Sequence, residues 1–255
     1  NVEDISWDEP RKRWAIDLAD GRSLSAQFVI NATGPLSTAV IPDFPGKDRF
    51  KGASFHSSKW DHSVDYANKR VAIIGSGASA AQIIPAIAPK VSHLHILQRT
   101  PHWVMPRKDY FFKPWQRALL KNKWAYKALR LLIYWVFELR VIGLKYSDFA
   151  LKVLAKNKAE KMIKDQIQDP DLQKKVTPEF TIGCKRVILS DTLYPAYNRQ
   201  NVTLYDKHNG IKEITENGLI TQDGVEHELD IIVYCTGFDA TDGVLSYPVI
   251  VTHGK

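Results

Sequence analysis

The stretch from Arg70 to Ala80, RVAIIGSGASA, constrains the fold more than any other part of the chain. Four consecutive apolar residues, Val71 to Ile74, read as a strand buried on both faces of a parallel sheet. The strand runs into Gly75-Ser76-Gly77-Ala78-Ser79-Ala80, a G-x-G-x-x-A turn, and a helical stretch follows. Gly75 permits a tight turn, Gly77 lets the backbone approach a pyrophosphate, and Ala80 allows helix and strand to pack closely. The anion would sit at the helix N-terminus, where unpaired N–H groups and the helix dipole favour negative charge. Ser76, Ser79 and Gln82 belong to that binding turn. Pro85 and Pro89 keep the helix short or kinked. The preceding strand and following helix supply the context this motif requires. The sequence therefore predicts an α/β fold with a dinucleotide site, against the alternative of a strand–turn–helix that binds nothing.

The next strand, Leu94 to Leu97, leads to Gln98-Arg99-Thr100. A unit that binds NAD usually places Asp or Glu there to hold the ribose hydroxyls. A carboxylate would repel a 2′-phosphate, whereas a guanidinium can grip one with paired charged hydrogen bonds. Arg99, followed by the hydroxyl of Thr100, therefore points to NADP(H), with a solvated strand-end cation as the alternative. His93 and His95 alternate along this strand and read as packing or surface residues rather than metal ligands.

On either side of this unit lies a weak internal repeat. Residues 1–34 read as a three-stranded meander with an Asp20-Gly21 turn, and an apolar strand, Phe28-Val29-Ile30, delivers Asn31-Ala32-Thr33-Gly34. Residues 211–238 repeat that plan, with an Asp223-Gly224 turn and a strand running into Thr236-Gly237. The second glycine follows the first by the same spacing in both copies.

Residues 107–168 change character, becoming basic, aromatic and helical in period. Leu131 to Leu144 is interrupted by Glu138 and Arg140 and is too short for a comfortable membrane span. A helical insertion packed on the domain is the expectation; a helix on a membrane surface or at a substrate entrance is the less favoured reading. The net charge of +7 is accounted for by a phosphate-rich cofactor and this helical surface. No zinc spacing or RNA-binding signature accompanies the basic residues, so nucleic acid is not an expected partner and no metal is expected. Two cysteines cannot form a disulfide framework, so a reducing, cytoplasmic setting is the default.

Between the first meander and the glycine turn, residues 50–61 read FKGASFHSSKWD. This pattern, F-x-G-x-x-x-H-x-x-x-W-D, resembles the fingerprint of type I Baeyer–Villiger monooxygenases. Phe50, Gly52, His56, Trp60 and Asp61 match it, and the resemblance extends over essentially the whole chain. It implies a two-dinucleotide-binding, Rossmann-like architecture in which an NADP domain is inserted into an FAD domain. Residues 1–49 would end the first FAD segment, 50–68 would be the fingerprint linker, and 69–238 the NADP domain with its insertion at about 107–168. Residues 239–255 would return toward the FAD domain.

The resemblance also assigns roles. His56 would couple cofactor movement to catalysis, and Arg99 and Thr100 would clamp the 2′-phosphate. In the segment GCKRVILSDTLY, Lys185 would assist that clamp and Arg186 would be the active-site arginine. A permanently charged guanidinium suits a site that must hold developing negative charge. Thr236 and Gly237 follow the second closing strand, with Cys235 where the family usually has Ala.

The implied activity uses NADPH, FAD and O2 to convert a ketone into an ester or lactone. Two closing strands accompany one glycine turn, so the FAD turn is expected upstream of Asn1, and the remainder of the FAD domain is expected outside this chain. The chain alone is expected to bind NADP(H) weakly, to carry no flavin and to oxidise no ketone. Two other readings stand beside this one: a flavin monooxygenase acting on sulfur or nitrogen, and a bare NADP-binding module.

Overall fold

The structure, a computed structural model, describes residues 1–32, 34, 36–107, 109–146, 155–239 and 249–250. Two compact units are present: Asn1–Asp43 with Thr236–Lys255, and Phe44–Cys235.

The first unit holds the antiparallel meander β1 (Val2–Asp8), β2 (Arg13–Leu18) and β3 (Ser23–Ala26), with β14 (Val249–Ile250) parallel to β1. Trp7 and Trp14 face each other across β1 and β2 with ring centroids 5.3 Å apart. The third strand differs from expectation. It ends at Ala26, and Phe28, Val29 and Ile30 form no strand; Phe28 is 85% and Ile30 90% exposed. An apolar strand of this kind is stable only between neighbours, and among the described residues none lies beside it. Thr33, and all of the 239–255 segment except Asp239, Val249 and Ile250, lie outside the described residues.

The second unit is built on a five-stranded parallel sheet. In spatial order it runs β4 (Ala53–His56), β13 (Ile231–Tyr234), β5 (Arg70–Ile74), β6 (His93–Leu97) and β9 (Val202–Tyr205). The expected linker at 50–68 thus contributes an edge strand, in register with β13 from Ala53↔Ile231 to His56↔Tyr234. Gly52 makes this approach possible, because a Cβ there would lie 2.4 Å from the Asp230 carbonyl oxygen.

One sheet face is covered by α1 (Ala78–Ile87), α4 (Asn157–Gln166) and α6 (Leu193–Tyr197), whose apolar residues join Val71, Ile73, Leu94 and Ile96 in one core. The other face, Ala72, Ile74, Leu97 and Ile232, packs under the antiparallel strands β10 (Ile211–Ile214), β11 (Gly218–Thr221) and β12 (Glu226–Glu228). Burial on both faces explains the uninterrupted apolar runs of β5 and β13.

The sequence repeat reappears as matched geometry at the two turns. Gly21 has φ 82° and Gly224 has φ 83°. Leu18 N–H donates to the Arg22 carbonyl at 2.9 Å, and Thr221 N–H to the Val225 carbonyl at 3.0 Å. Asp20 and Asp223 each accept from the amide two residues on. What differs is the closing strand, paired on both sides in the second unit only.

At the N-terminal edge of β13, Asp230 takes the Arg70 guanidinium in a fork, at 2.9 and 3.2 Å, and also accepts from the Arg70 amide at 2.8 Å. The Arg70 hydrogen bonds hold its carboxyl below the usual range. Both side chains are partly exposed, which limits the value of the ion pair. Asp230→Ala is expected to cost about 1–2 kcal/mol, mainly through the lost acceptor for the Arg70 amide, measured by urea unfolding.

The helical insertion divides in two. Helix α4 buries Ala159, Met162 and Ile163, spaced along one face, and α5 (Pro170–Val176) buries Val176. By contrast α2 (Pro114–Leu120) buries no residue, and the described side chains of α3 (Lys123–Tyr146) are exposed or half-exposed. The expectation of an insertion packed on the domain therefore fails for this pair. From Leu131 to Phe137, α3 is apolar around its whole circumference and has no single face to offer a core. Among the described residues no helix is long and apolar enough to cross a membrane.

Candidate functional site: the glycine turn and its neighbouring cavity

Parallel strands bring their carboxyl ends to one edge of the sheet, where ligands of open α/β folds bind. Here that edge carries His56 from β4, the Gly75–Gly77 turn after β5, Gln98–Thr100 after β6, and Cys235 after β13.

The two glycines serve different ends. Gly75 has φ 118°, and a Cβ on it would lie 2.3 Å from the Cys235 carbonyl oxygen. Gly75 N–H donates to Leu97 O at 2.9 Å and Cys235 N–H to Ile74 O at 2.8 Å, so the turn is locked against both neighbouring strands. Gly77 is extended, with φ −72° and ψ −168°, and no atom lies within 4 Å of a Cβ built on it. It is the N-cap of α1, without a side-chain cap and without an acidic residue in the first turn. Free N–H groups thus face open space at the positive pole of a helix. Ala80 is fully buried behind the turn, as close packing requires, and Ser79 is exposed in the first helical turn.

Ser76 Oγ donates to the Thr100 carbonyl at 2.7 Å, which ties the turn to the segment after β6. Arg99, beside that carbonyl, is exposed, and no carboxylate pairs with it among the described residues. Lys185 and Arg186 are exposed too, the Lys185 ammonium lying 5.0 Å from the centre of the Phe180 ring.

A cavity of about 740 Å³ opens against α1. Gln82 and Arg186 line it together with Ala78, whereas Arg99, Lys185 and His56 do not. His56 is 3% exposed, and its Nδ1 meets Ser58 Oγ at 2.8 Å and accepts from Ser58 N–H. Trp60 packs edge-on against Phe55 and Tyr66 at 5.1 and 6.2 Å, while Asp61 is spent on the Ser63 amide and hydroxyl. Burial raises the Cys235 thiol to about 11, so it is not a nucleophile near neutrality. Thr236 and Gly237 belong to the first unit, where Thr236 Oγ1 donates to the Val40 carbonyl and Val40 N–H donates to the Gly237 carbonyl.

The cavity also gathers residues that the sequence reading had not singled out: His102, Arg107 and Asp191. Asp191 accepts from the Arg107 amide at 3.0 Å. Among the described residues the buried His102 Nδ1 has no hydrogen-bond partner, and burial, then the Lys185 charge, lowers its pKa below the ordinary value and favours the neutral ring. The available signal was a polar residue directly after a strand-end Arg-Thr-Pro.

The flavin-binding monooxygenase-like family model matches residues 15–253. A Baeyer–Villiger monooxygenase of Streptomyces coelicolor is 42% identical over 255 residues, which is all of this chain and 48% of that protein. The crystal structure of cyclohexanone monooxygenase from Rhodococcus sp. Phi1 bound to NADP+ superposes with a TM-score of 0.83 at 29% identity, covering 100% of this chain and 54% of that one. The OTEMO complex with FAD and NADP gives a TM-score of 0.83 at 29% identity over 100% of this chain and 56% of that one. The chain thus spans about half the length of the relatives it matches, and it belongs to the flavin-binding monooxygenase-like family.

Proposed function

We propose that this chain is the NADPH-binding part of a Baeyer–Villiger monooxygenase. The observation that carries the reading is the uncapped α1 N-terminus, open at Gly77, together with the exposed Arg99 guanidinium after the neighbouring strand, which no carboxylate pairs among the described residues. These residues fit a phosphorylated dinucleotide: the helix end takes the pyrophosphate, and Arg99, with Thr100 and Lys185, takes the 2′-phosphate. For FAD the fit is not met within this chain, which carries a single glycine turn of this kind.

NADPH supplies a hydride, and the overall reaction is ketone + O2 + NADPH + H+ → ester or lactone + NADP+ + H2O. Within it, Arg186 supplies a fixed positive charge at the cavity wall, and Gln82 offers an amide from α1. Neutral His102 offers a hydrogen-bond acceptor without donating charge. His56, deep at the end of β4, would couple cofactor movement to catalysis, as the fingerprint resemblance implies. Residues 44–235 form the NADP unit in this scheme. The protein works in the cytoplasm, where an exposed free Cys184 stays reduced.

Product analysis of the full-length protein with NADPH, cyclic ketones and alkyl sulfides tests the proposal. Lactones from the ketones are expected; sulfoxides with no lactone would select the sulfur- and nitrogen-oxidising alternative instead.

A further inference from the structure

The α2–α3 hairpin presents a surface that the proposed chemistry does not use. Between Asp109 and Glu138 the chain has no acidic residue, while Lys113, Arg117, Lys121, Lys123, Lys127 and Arg130 supply six positive charges. Asn122 caps α3 by accepting from the Trp124 and Ala125 amides. Helix α3 has no acidic residue in its first turn, so Lys123 stands at its positive pole, whereas Arg117 and Lys121 lie at the C-terminal end of α2. A basic residue and a helix pole that reinforce each other call for an external anion.

Beyond this basic collar the polarity changes along the helix axis. Past the collar Leu132 is 62% exposed, and Leu131 and Trp135 are exposed as well, while Trp124 within the collar is 72% exposed. Lys123 and Lys127 lie 5.9 and 5.3 Å from the Trp124 ring, so cations and aromatics are interleaved at the boundary. The apolar run Leu131–Phe137 is about 10.5 Å long and ends at Glu138, which suits a position at the interface of one leaflet rather than a span. A second copy of the chain is a poor occupant, because pairing would bring two sets of six like charges together. Anionic headgroups answer the collar, and acyl chains answer the apolar segment.

We infer that the α2–α3 hairpin docks on an anionic lipid surface, with Lys123, Lys127 and Arg130 at the headgroups and Leu131–Phe137 among the acyl chains. The helix pair lies at the interface of one leaflet, with Glu138 on the headgroup side, and does not span the membrane. This inference is independent of the reaction assigned above.

Flotation of the full-length protein with phosphatidylcholine vesicles, with or without about 30 mol% phosphatidylglycerol, tests it. Binding to the anionic vesicles is expected to exceed binding to the neutral ones by about tenfold or more, and to fall at about 0.5 M salt. The exposed double substitution Lys123→Glu/Lys127→Glu is expected to remove most of the binding while leaving the circular dichroism spectrum unchanged. In a Cys184→Ser background, a polarity-sensitive dye on Leu132→Cys should shift to the blue with anionic vesicles only. Absence of flotation, equal binding to neutral vesicles, or binding without the dye shift would overturn the inference. So would a Leu132→Cys thiol that no dye reaches in lipid-free protein, since the rest of the protein would then cover the hairpin.

Discussion

Gly75→Ala is expected to destabilise the second unit by about 3 kcal/mol or more, whereas Gly77→Ala, two residues away, should cost within about 1 kcal/mol. The difference follows from what each added methyl meets. At Gly75 it would lie 2.3 Å from the Cys235 carbonyl oxygen, on a backbone with φ 118°. That oxygen belongs to the chain just after β13, itself fixed by Cys235 N–H donating to Ile74 O, so relief requires parting the sheet at its centre. The midpoint of thermal unfolding should fall by about 6–12 °C for a unit of this size. At Gly77 the methyl meets nothing within 4 Å, and the backbone is already in a region open to alanine. It would, however, occupy the space through which a pyrophosphate reaches the α1 amides, so NADP+ affinity should fall about tenfold or more. Melting curves and titrations of the two variants separate the roles; equal loss of stability in both would contradict this division.

Acid is expected to weaken the second unit through His95 as the pH falls below 6.5. The ring is 8% exposed on β6, with its Nδ1 3.1 Å from Tyr205 Oη. His93 and His227 lie with ring centroids 4.5 and 5.1 Å away. Burial first, then the charges of His93, His227 and Arg70, lowers the His95 pKa from 6.5 to about 3. The unfolded chain therefore binds a proton as pH drops through 6.5 while the native ring stays neutral until about 3. Stability is full above pH 6.5 and declines through this window, by on the order of 3 kcal/mol between pH 7 and pH 4. His95→Gln, which retains a polar group near Tyr205, should flatten the pH dependence of urea unfolding between pH 6.5 and 4. An undiminished slope would move the acid sensitivity to another group.

Where the chain was legible, it was because one local signal and one packing demand agreed. Val71–Ile74 and Ile231–Tyr234 are uninterrupted apolar runs, and both are central strands covered on both faces. The Asp-Gly turns announced themselves because positive φ narrows the residue choice. Phe28–Ile30 carries the same signal as β13 yet forms no strand, since an apolar run specifies a need for neighbours and cannot supply them. The α2–α3 hairpin misled in a related way: helical period is local, whereas what covers the helix is a long-range property. His102 and Asp191 were hidden because they meet at the cavity only after β7 (Val104–Met105) and β8 (Ile188–Leu189) pair in parallel across some 80 residues of chain.

Recognition of the 2′-phosphate beside the glycine turn is what sets an NADP-binding unit apart from an NAD-binding one. Calorimetric titration of the protein and its Arg99→Ala variant with NADP+ and NAD+ tests this directly. The wild type is expected to prefer NADP+, and the substitution to weaken NADP+ by about 1.5–3 kcal/mol, roughly 10- to 150-fold, with NAD+ almost unchanged. Equal loss for both dinucleotides, or equal affinity of the wild type for both, would contradict the account.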